Sequence, residues 1–260
     1  MLRENTESEL LREVHNPQVW RIQVPEGRSG GDVLSVKMWT GHYGSVLALC
    51  YSPDGKYLAS ASADGRALVW SCPNYTQCAV CVCAGRVDSL CWVSSSILVT
   101  NSPGLAAKLP ELMVDSGADE AEGCVQLWQI SKGGEGNPVP LCTIRHEGGG
   151  NVGAMAGWSP PPPPPWMRKQ KLDQGDARNL ELLVTAAGSS HSSLRLWRPD
   201  MNSLNSPPRA IGALHGHDDV ITDAAFSSDG CFLASASVDQ TILVWDVSTM
   251  RKDDPDSRHS

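Results

Sequence analysis

Short apolar segments separated by turn residues recur along this chain. The clearest array has an apolar segment at 46–51, a Ser-Pro-Asp-Gly turn at 52–55 and a segment of small and apolar residues at Tyr57–Ser62. An Ala-Asp-Gly-Arg turn at 63–66 and an apolar segment ending at Trp70 complete it. Asp-Gly tolerates the positive φ angles that tight hairpin turns require. The pattern therefore predicts three short antiparallel strands, with room for a fourth.

A second array repeats the first at a constant offset of 175 residues. Every matched position obeys this offset: Gly41-His42 with Gly216-His217, Asp54-Gly55 with Asp229-Gly230, Leu58–Ser62 with Leu233–Ser237, Asp64 with Asp239, and Leu68–Trp70 with Leu243–Trp245. A repeat with fixed internal spacing indicates one supersecondary unit that is used several times.

Tryptophan-ended segments give the number of units. Five segments of alternating apolar and polar residues end in a tryptophan, which predicts half-buried strands ending at Trp20, Trp70, Trp128, Trp197 and Trp245. At roughly 40–45 residues per unit, the offset holds three units and two insertions. We place the units at 17–250, the insertions at about 101–123 and 160–179, a polar segment at 1–16 and a disordered tail at 251–260.

The Gly-His pair, the Ser-Pro-Asp-Gly turn, the turn aspartate and the closing Trp-Asp resemble the WD40 repeat. The second copy ends in Trp245-Asp246 and the first in Trp70-Ser71. The resemblance implies an all-β fold, a WD40 β-propeller with four-stranded blades around a channel. Four blades plus one extra closing strand fall short of the roughly seven or eight that are usual. We expect an incomplete propeller, a truncated form of a larger protein; the alternative is a four-bladed ring.

In that family a histidine, a strand serine or threonine, the turn aspartate and the tryptophan form a buried hydrogen-bonded set. Carried onto this chain, the two sets are His42, Ser60 or Ser62, Asp64 and Trp70, and His217, Ser235 or Ser237, Asp239 and Trp245. A buried carboxylate is costly unless donors surround it, and these side chains supply donors. We interpret the sets as structural, because an active site rarely needs duplication. The middle units lack the Gly-His pair, so we expect them to lack the full set.

The charge and composition of the chain indicate which partners, locations and bound groups to expect. The net charge of −8 argues against nucleic acid as a partner, and no apolar stretch is long enough for a membrane span. Nine cysteines and no secretory signal favour a cytoplasmic or nuclear location. Cys81 and Cys83 alternate with valines in a predicted outer strand, which favours reduced, packed thiols; a zinc site and a redox pair are the alternatives. No cofactor or metal is predicted.

Two low-complexity motifs have simple interpretations. Residues 148–153 fit G-x-G-x-x-G, but that motif binds dinucleotides only where a helix follows, and six prolines follow at Pro160–Pro165. We interpret it as a loop between blades. The proline run predicts a polyproline II segment, which a polyproline-binding adaptor domain could recognise.

The function predicted is that of a non-enzymatic scaffold that assembles other proteins. The alternatives are a substrate-recognition or regulatory arm of a larger ubiquitin-ligase or signalling protein, and an enzyme with a site at the channel mouth. Partner contacts are expected on rim loops and in the proline run, at Tyr43, Arg66, Asp218, Asp219, Gln240, Pro160 and Pro165.

Overall fold

The structure, a computed structural model, describes residues 18–23, 32–72, 76–102, 124–131, 138, 140–145, 152–160, 181–187, 192–199 and 207–251. Regular structure in these ranges is β, apart from one 3-10 turn at Ser248–Arg251. None of it is a helix long and apolar enough to cross a membrane. The predicted N-terminal segment, most of both insertions and the tail after residue 251 lie outside the described residues.

The described residues form seventeen strands. In chain order they are β1 (Gln18–Gln23), β2 (Asp32–Met38), β3 (Val46–Tyr51), β4 (Tyr57–Ser62), β5 (Arg66–Ser71), β6 (Thr76–Val82), β7 (Ser89–Ser94), β8 (Ile97–Ser102), β9 (Cys124–Gln129), β10 (Pro140–Arg145), β11 (Val152–Trp158), β12 (Leu182–Ala187), β13 (Ser193–Arg198), β14 (Arg209–His215), β15 (Ile221–Phe226), β16 (Phe232–Ser237) and β17 (Ile242–Asp246).

Consecutive strands pair antiparallel and form separate sheets. Sheet I is β3–β6, sheet II is β7–β10, sheet III is β11–β14 and sheet IV is β15–β17. The prediction of an all-β fold with four blades is confirmed. The extra strand predicted to end at Trp20 is β1, which continues to Gln23, and it is not single because β2 pairs with it along one edge. Sheet IV has three strands within the described residues, where the other three sheets have four.

The tryptophan strands are equivalent in register as well as in sequence. They are the third strands of sheets I–IV, namely β5, β9, β13 and β17. In each sheet the tryptophan pairs with a leucine of the second strand: Leu58 with Trp70, Leu98 with Trp128, Leu183 with Trp197, and Leu233 with Trp245. This shared register allows the remaining residues of the second and third strands to be matched from one sheet to the next.

The four sheets stack in chain order. Their first strands β3, β7, β11 and β15 lie next to one another in that sequence, and three apolar cores fill the seams between sheets I and II, II and III, and III and IV. We call the side of a sheet that faces its successor the forward face and the other side the backward face. The described sheets do not close into a ring, since Leu49 on sheet I and Val244 on sheet IV are 51% and 67% exposed.

Glycines in β11 allow the first strands to approach closely. A Cβ at Gly153 would lie 2.6 Å from the carbonyl oxygen of Ile221, and a Cβ at Gly157 would overlap the carbonyl oxygen of Trp92. Gly153 is also the last glycine of the G-x-G-x-x-G motif, and it lies in a strand that begins at Val152. A strand cannot supply the helix N-terminus that dinucleotide binding requires. Residues 148–151 lie outside the described residues.

Side-chain donors join each sheet to the next. The indole N–H of Trp92 donates to the carbonyl oxygen of Cys50 at 3.1 Å, joining sheet II to sheet I. The amide of Asn101 donates to Val152 O at 2.7 Å, joining sheets II and III. The indole N–H of Trp158 donates to Ser228 O at 3.1 Å, joining sheets III and IV. These bonds fix the stacking that the apolar cores drive.

Two equivalent turn glycines provide a matched test of this stacking. Gly55 and Gly230 have nearly identical φ angles, 68° and 67°. A Cβ at Gly55 would meet nothing, whereas a Cβ at Gly230 would overlap the Trp158 indole. We predict that Gly55→Ala lowers the free energy of unfolding by about 1 kcal/mol, the cost of the left-handed conformation. Gly230→Ala should cost about 1–3 kcal/mol more, because it also displaces Trp158. Urea unfolding measures both, and equal losses would contradict the sheet III–IV contact.

Candidate functional site

In sheet I the structure brings together the four side chains of the first predicted set. The indole N–H of Trp70 donates to Ser60 Oγ at 2.9 Å, and Ser60 Oγ lies 2.7 Å from His42 Nε2. His42 Nδ1 lies 3.1 Å from Asp64 Oδ2. Because an ionised carboxylate only accepts, we assign the proton to His42 Nδ1. The hydrogen bonds then run in one direction, from Trp70 through Ser60 and His42 to Asp64.

Sheet IV contains the second set in the same geometry. Trp245 Nε1 donates to Ser235 Oγ at 2.9 Å, His217 Nε2 lies 2.8 Å from Ser235 Oγ, and His217 Nδ1 lies 2.7 Å from Asp239 Oδ2. The alternative serines occupy a different place. Ser62 Oγ and Ser237 Oγ each accept from the backbone N–H of the turn aspartate at 3.1 Å. Ser60 and Ser235 are therefore the serines that contact the histidines.

Burial supports a structural role for both sets. Ser60 and Ser235 are 0% and 2% exposed, and His42 and His217 are 6% and 3% exposed. The lone pair of each histidine Nε2 is directed at a serine that also accepts an indole N–H. A substrate cannot reach a nucleophile in this position, although the same three residue types form catalytic triads elsewhere.

Sheets II and III keep part of the set, in residues that the sequence analysis did not identify. Trp128 Nε1 donates to Thr100 Oγ1, and Trp197 Nε1 donates to Thr185 Oγ1, both at 2.8 Å. Both threonines are fully buried. In sheet II the thiol of Cys83 lies 3.6 Å from Thr100 Oγ1. A shared signal was available, because each hydroxyl follows the tryptophan-paired leucine by two residues in a Leu-x-Ser/Thr pattern.

Asp64 connects the buried set of sheet I to the surface. Its Oδ2 accepts the backbone N–H of Tyr43 at 2.8 Å and the guanidinium of Arg66 at 2.7 Å, in addition to His42. Burial raises the pKa of Asp64, but the hydrogen bonds from Arg66, Tyr43 and His42 outweigh it and lower the pKa to about 2. The carboxylate is therefore ionised at neutral pH and holds a cation in place.

Tyr43 and Arg66 form an exposed pair on the rim beside Asp64, and we call them the Tyr43–Arg66 patch. The Tyr43 side chain is 86% exposed, and the Arg66 guanidinium carbon lies 4.5 Å from the centre of its ring. Arg66 also donates to the carbonyl oxygen of Gly41 at 2.8 Å. Two hydrogen bonds, to Asp64 and to Gly41, thus hold the guanidinium against the aromatic ring.

Sheet IV presents different chemistry at the equivalent place. The backbone N–H of Asp218 donates to Asp239 at 3.0 Å, as that of Tyr43 does to Asp64. Asp218 is exposed, and Asp219 Oδ1 accepts the backbone N–H of Val220 at 2.7 Å. Gln240 occupies the position of Gly65 with a φ of 70°, the left-handed region that favours glycine. This part of the rim is acidic.

Pro160 lies away from the rim residues. It lines a cavity of about 170 Å³ together with Pro53, Asp54, Ser94, Ser95, Ser159 and Glu181. The turn that contains Pro53 follows β3, whereas Tyr43 precedes β3, so the two surfaces lie at opposite ends of sheet I. Pro165 lies outside the described residues.

The cysteines of sheets I and II are packed as small apolar residues. Cys81 and Cys83 are buried in the core between these sheets, while Val82 is 64% exposed on the other face. Burial raises the pKa of the Cys83 thiol to about 11 and also raises that of Cys81, so both stay protonated and unreactive. Across the described ranges, no three His, Cys, Asp or Glu side chains are grouped to hold a metal ion.

Removal of the aspartate tests the structural interpretation. We predict that Asp64→Ala lowers the free energy of unfolding by about 2–3 kcal/mol, because charge-assisted hydrogen bonds are lost and their buried donors stay unpaired. Asp54→Ala, in the turn at the other end of the sheet, should cost less, about 1 kcal/mol, because the bonds of Asp54 to Ser52 and Lys56 lie in a turn that is more open to water. Thermal and urea unfolding measure both. Unchanged stability of Asp64→Ala with lost partner binding would contradict the interpretation.

The same groups predict a dependence of stability on pH. Burial lowers the pKa of His42 below 6.5, so protons bind the unfolded chain preferentially and stability falls as the pH drops below that value. The depressed pKa of Asp64 gives a second loss as the pH falls from about 3.8 to about 2. Asp64→Asn should remove this second loss. Melting temperatures from pH 7 down to about pH 2 measure the effect, and an identical slope in the variant below about pH 3.8 would contradict it.

A comparison with protein families finds the same two repeats that the structure shows in sheets I and IV. The WD40 family model, described as WD domain, G-beta repeat, matches residues 34–71 and 208–246. The first match runs from β2 through β5 and the second from β14 through β17. Each match therefore begins in the last strand of one sheet and ends at the tryptophan strand of the next.

Relatives include Transducin beta-like protein 3 of Homo sapiens, which is 25% identical over 79% of this chain and 26% of its own length. The guanine nucleotide-binding protein subunit beta of Zea mays is 23% identical over 95% of the chain and 67% of its own length. Protein FIZZY-RELATED 3 of Arabidopsis thaliana is 24% identical over 82% of the chain and 35% of its own length. The chain thus spans from about a quarter to two thirds of these relatives. These matches place WD40 repeats at residues 34–71 and 208–246, and they show that the chain is similar to WD-repeat proteins over most of its length.

Proposed function

We propose that this chain is a non-enzymatic scaffold that binds other proteins through the rim carrying the Tyr43–Arg66 patch. WD40 proteins are generally non-catalytic scaffolds, and the matches to them support this general role. The observation that carries the proposal is an exposed tyrosine, Tyr43, that lies against an arginine held in place by Asp64 and Gly41.

The chemistry of the patch suits a protein partner. Tyrosine and arginine are enriched among the residues that dominate binding energy at protein interfaces. The guanidinium of Arg66 is already ordered by Asp64 and Gly41, so binding would cost little of its conformational freedom. Asp218 and Asp219 add negative charge at the equivalent place of sheet IV, which suits a partner with a basic segment.

Burial of the His–Asp–Ser sets supports the absence of catalysis. Both serines and both histidines are shielded from solvent, and each set is occupied by hydrogen bonds within its own sheet. All nine cysteines are free thiols, which suits a protein of the reducing cytoplasm or nucleus.

Two narrower proposals concern the partner. The proline run from Pro160 to Pro165 would offer an adaptor domain a polyproline II segment. Its first residue, Pro160, lies at the end of the sheets opposite the Tyr43–Arg66 patch. A regulatory arm of a larger signalling assembly is a second candidate function, favoured because one relative bears the name of a guanine nucleotide-binding protein subunit. The ubiquitin-ligase form has less support, because Trp245-Asp246 continues with Val247-Ser248 rather than the Trp-Asp-x-Arg docking sequence.

Affinity capture tests the main proposal. Tyr43→Ala and Arg66→Ala should each reduce recovery of the bound proteins by about tenfold or more, the loss typical of interface hot spots. Lys56→Ala is the matched control, because Lys56 is an exposed cation at the opposite end of the same sheet and pairs with Asp54. Quantitative mass spectrometry of proteins captured by the full chain measures recovery. Equal recovery by all three variants would remove the patch from the binding surface.

A further inference from the structure

Arg66 keeps hydrogen-bond donors open at the rim of sheet I. Its guanidinium makes both of its side-chain hydrogen bonds through Nη2, to Asp64 Oδ2 at 2.7 Å and to Gly41 O at 2.8 Å. Within the described part of the chain, its Nε and Nη1 groups donate to no protein atom. The side chain is 23% exposed. The N–H groups of Nε and Nη1 therefore remain for an acceptor from outside the chain.

The carboxylate that neutralises Arg66 offers little to a partner. Asp64 Oδ2 accepts hydrogen bonds from His42, Tyr43 and Arg66. Its Oδ1 accepts the backbone N–H of Arg66 at 3.0 Å, and the Asp64 side chain is only 7% exposed. The protein thus uses the acceptors of this ion pair internally, and the donors of the pair face the surface.

A second arginine lies on the neighbouring loop of the same rim. A Cβ at Gly65 would lie 3.4 Å from the carbonyl oxygen of Gly85. Because Gly65 precedes Arg66 and Gly85 precedes Arg86, the loop with Arg86 runs beside the turn with Arg66. The Arg86 side chain is 57% exposed, and among the described residues it pairs only through Nε, with Asp88. Both of its Nη groups also remain for an acceptor.

Sheet IV has the opposite character at the equivalent place. Thr241 stands where sheet I has Arg66, and its hydroxyl donates to Asp239 Oδ1 at 2.6 Å. Asp218 stands where sheet I has Tyr43, and it is exposed. The repeat therefore contains its own comparison, because equivalent turn aspartates support surface donors in sheet I and a surface carboxylate in sheet IV.

We propose that Tyr43, Arg66 and Arg86 bind a carboxylate-rich segment of a partner protein, an inference that rests on the proposed scaffold function. Guanidinium and carboxylate groups form charge-assisted hydrogen bonds, which are among the strongest in proteins. The exposed hydroxyl of Tyr43 adds a donor to the same surface. The net charge of −8 repels a long polyanion such as a nucleic acid. A short acidic segment meets mainly these local donors, because salt screens charges beyond about 8 Å.

Titration of the full chain with a fluorescently labelled, glutamate-rich peptide tests the proposal. The peptide should bind with an affinity that falls as salt rises, and the same peptide with glutamine in place of glutamate should not bind. Arg86→Glu should weaken binding by about tenfold or more, because charged hydrogen bonds are replaced by repulsion. Lys56→Glu is the matched control, since it makes the same change of charge at the opposite end of sheet I and should leave the affinity unchanged. Circular dichroism shows whether each variant is folded.

Several results would overturn the proposal: no binding of the glutamate-rich peptide, equal binding of the glutamine peptide, equal losses in Arg86→Glu and Lys56→Glu, or equal competition by an oligonucleotide. Binding that appears only in the variant Asp119→Asn with Glu120→Gln would also overturn it, because the chain's own acidic insertion would then be the occupant. If protein capture still depends on Tyr43 and Arg66, such a result removes only the acidic partner. If capture is independent of both, the scaffold surface fails as well.

Discussion

The buried hydrogen bond from a tryptophan indole to a strand hydroxyl is the interaction on which this fold depends. It occurs once in each of the four sheets, always from the third strand to the second and always between 2.8 and 2.9 Å. Both partners are buried in sheets I–III, and in sheet IV the serine is buried while the tryptophan is half-buried. Loss of one partner would therefore leave the other, a buried polar group, without compensation. The bond therefore fixes which tryptophan side chain faces which hydroxyl, and with it the register of the sheet.

In the first and last sheets this bond is extended toward the surface. The hydroxyl contacts a histidine, the histidine contacts the turn aspartate, and the aspartate orders the first residues of the rim. In sheet I the same aspartate also binds Arg66, so the proposed binding surface and the buried core share one carboxylate. A change in the core would consequently alter the geometry of the rim. The stability of the sheet and the proposed binding of partners are therefore coupled through Asp64.

Sequence reasoning recovered the parts of this structure that depend on local signals. The turns at 52–55 and 63–66, the four tryptophan strands and the outer strand with its alternating cysteines all follow from residues close together in the chain. Thr100 and Thr185 were missed because 28 and 12 residues separate them from their tryptophans, whereas 10 separate Ser60 from Trp70. Extra residues between the second and third strands lengthen this separation in sheets II and III. The role of Gly153 was missed for another reason, since the atom that excludes a larger side chain belongs to Ile221, in the next sheet.

The exchange rates of the tryptophan indole protons test this account most directly. Nuclear magnetic resonance of the chain, with each tryptophan assigned by substitution, would resolve the indole N–H groups of Trp70, Trp128, Trp197 and Trp245. The account predicts that all four exchange slowly and together, at the rate of cooperative unfolding, because each proton is held by a buried hydroxyl. Rapid exchange of Trp128 and Trp197, at rates typical of exposed indoles, would contradict it by showing that the four sheets are not built on the same bond.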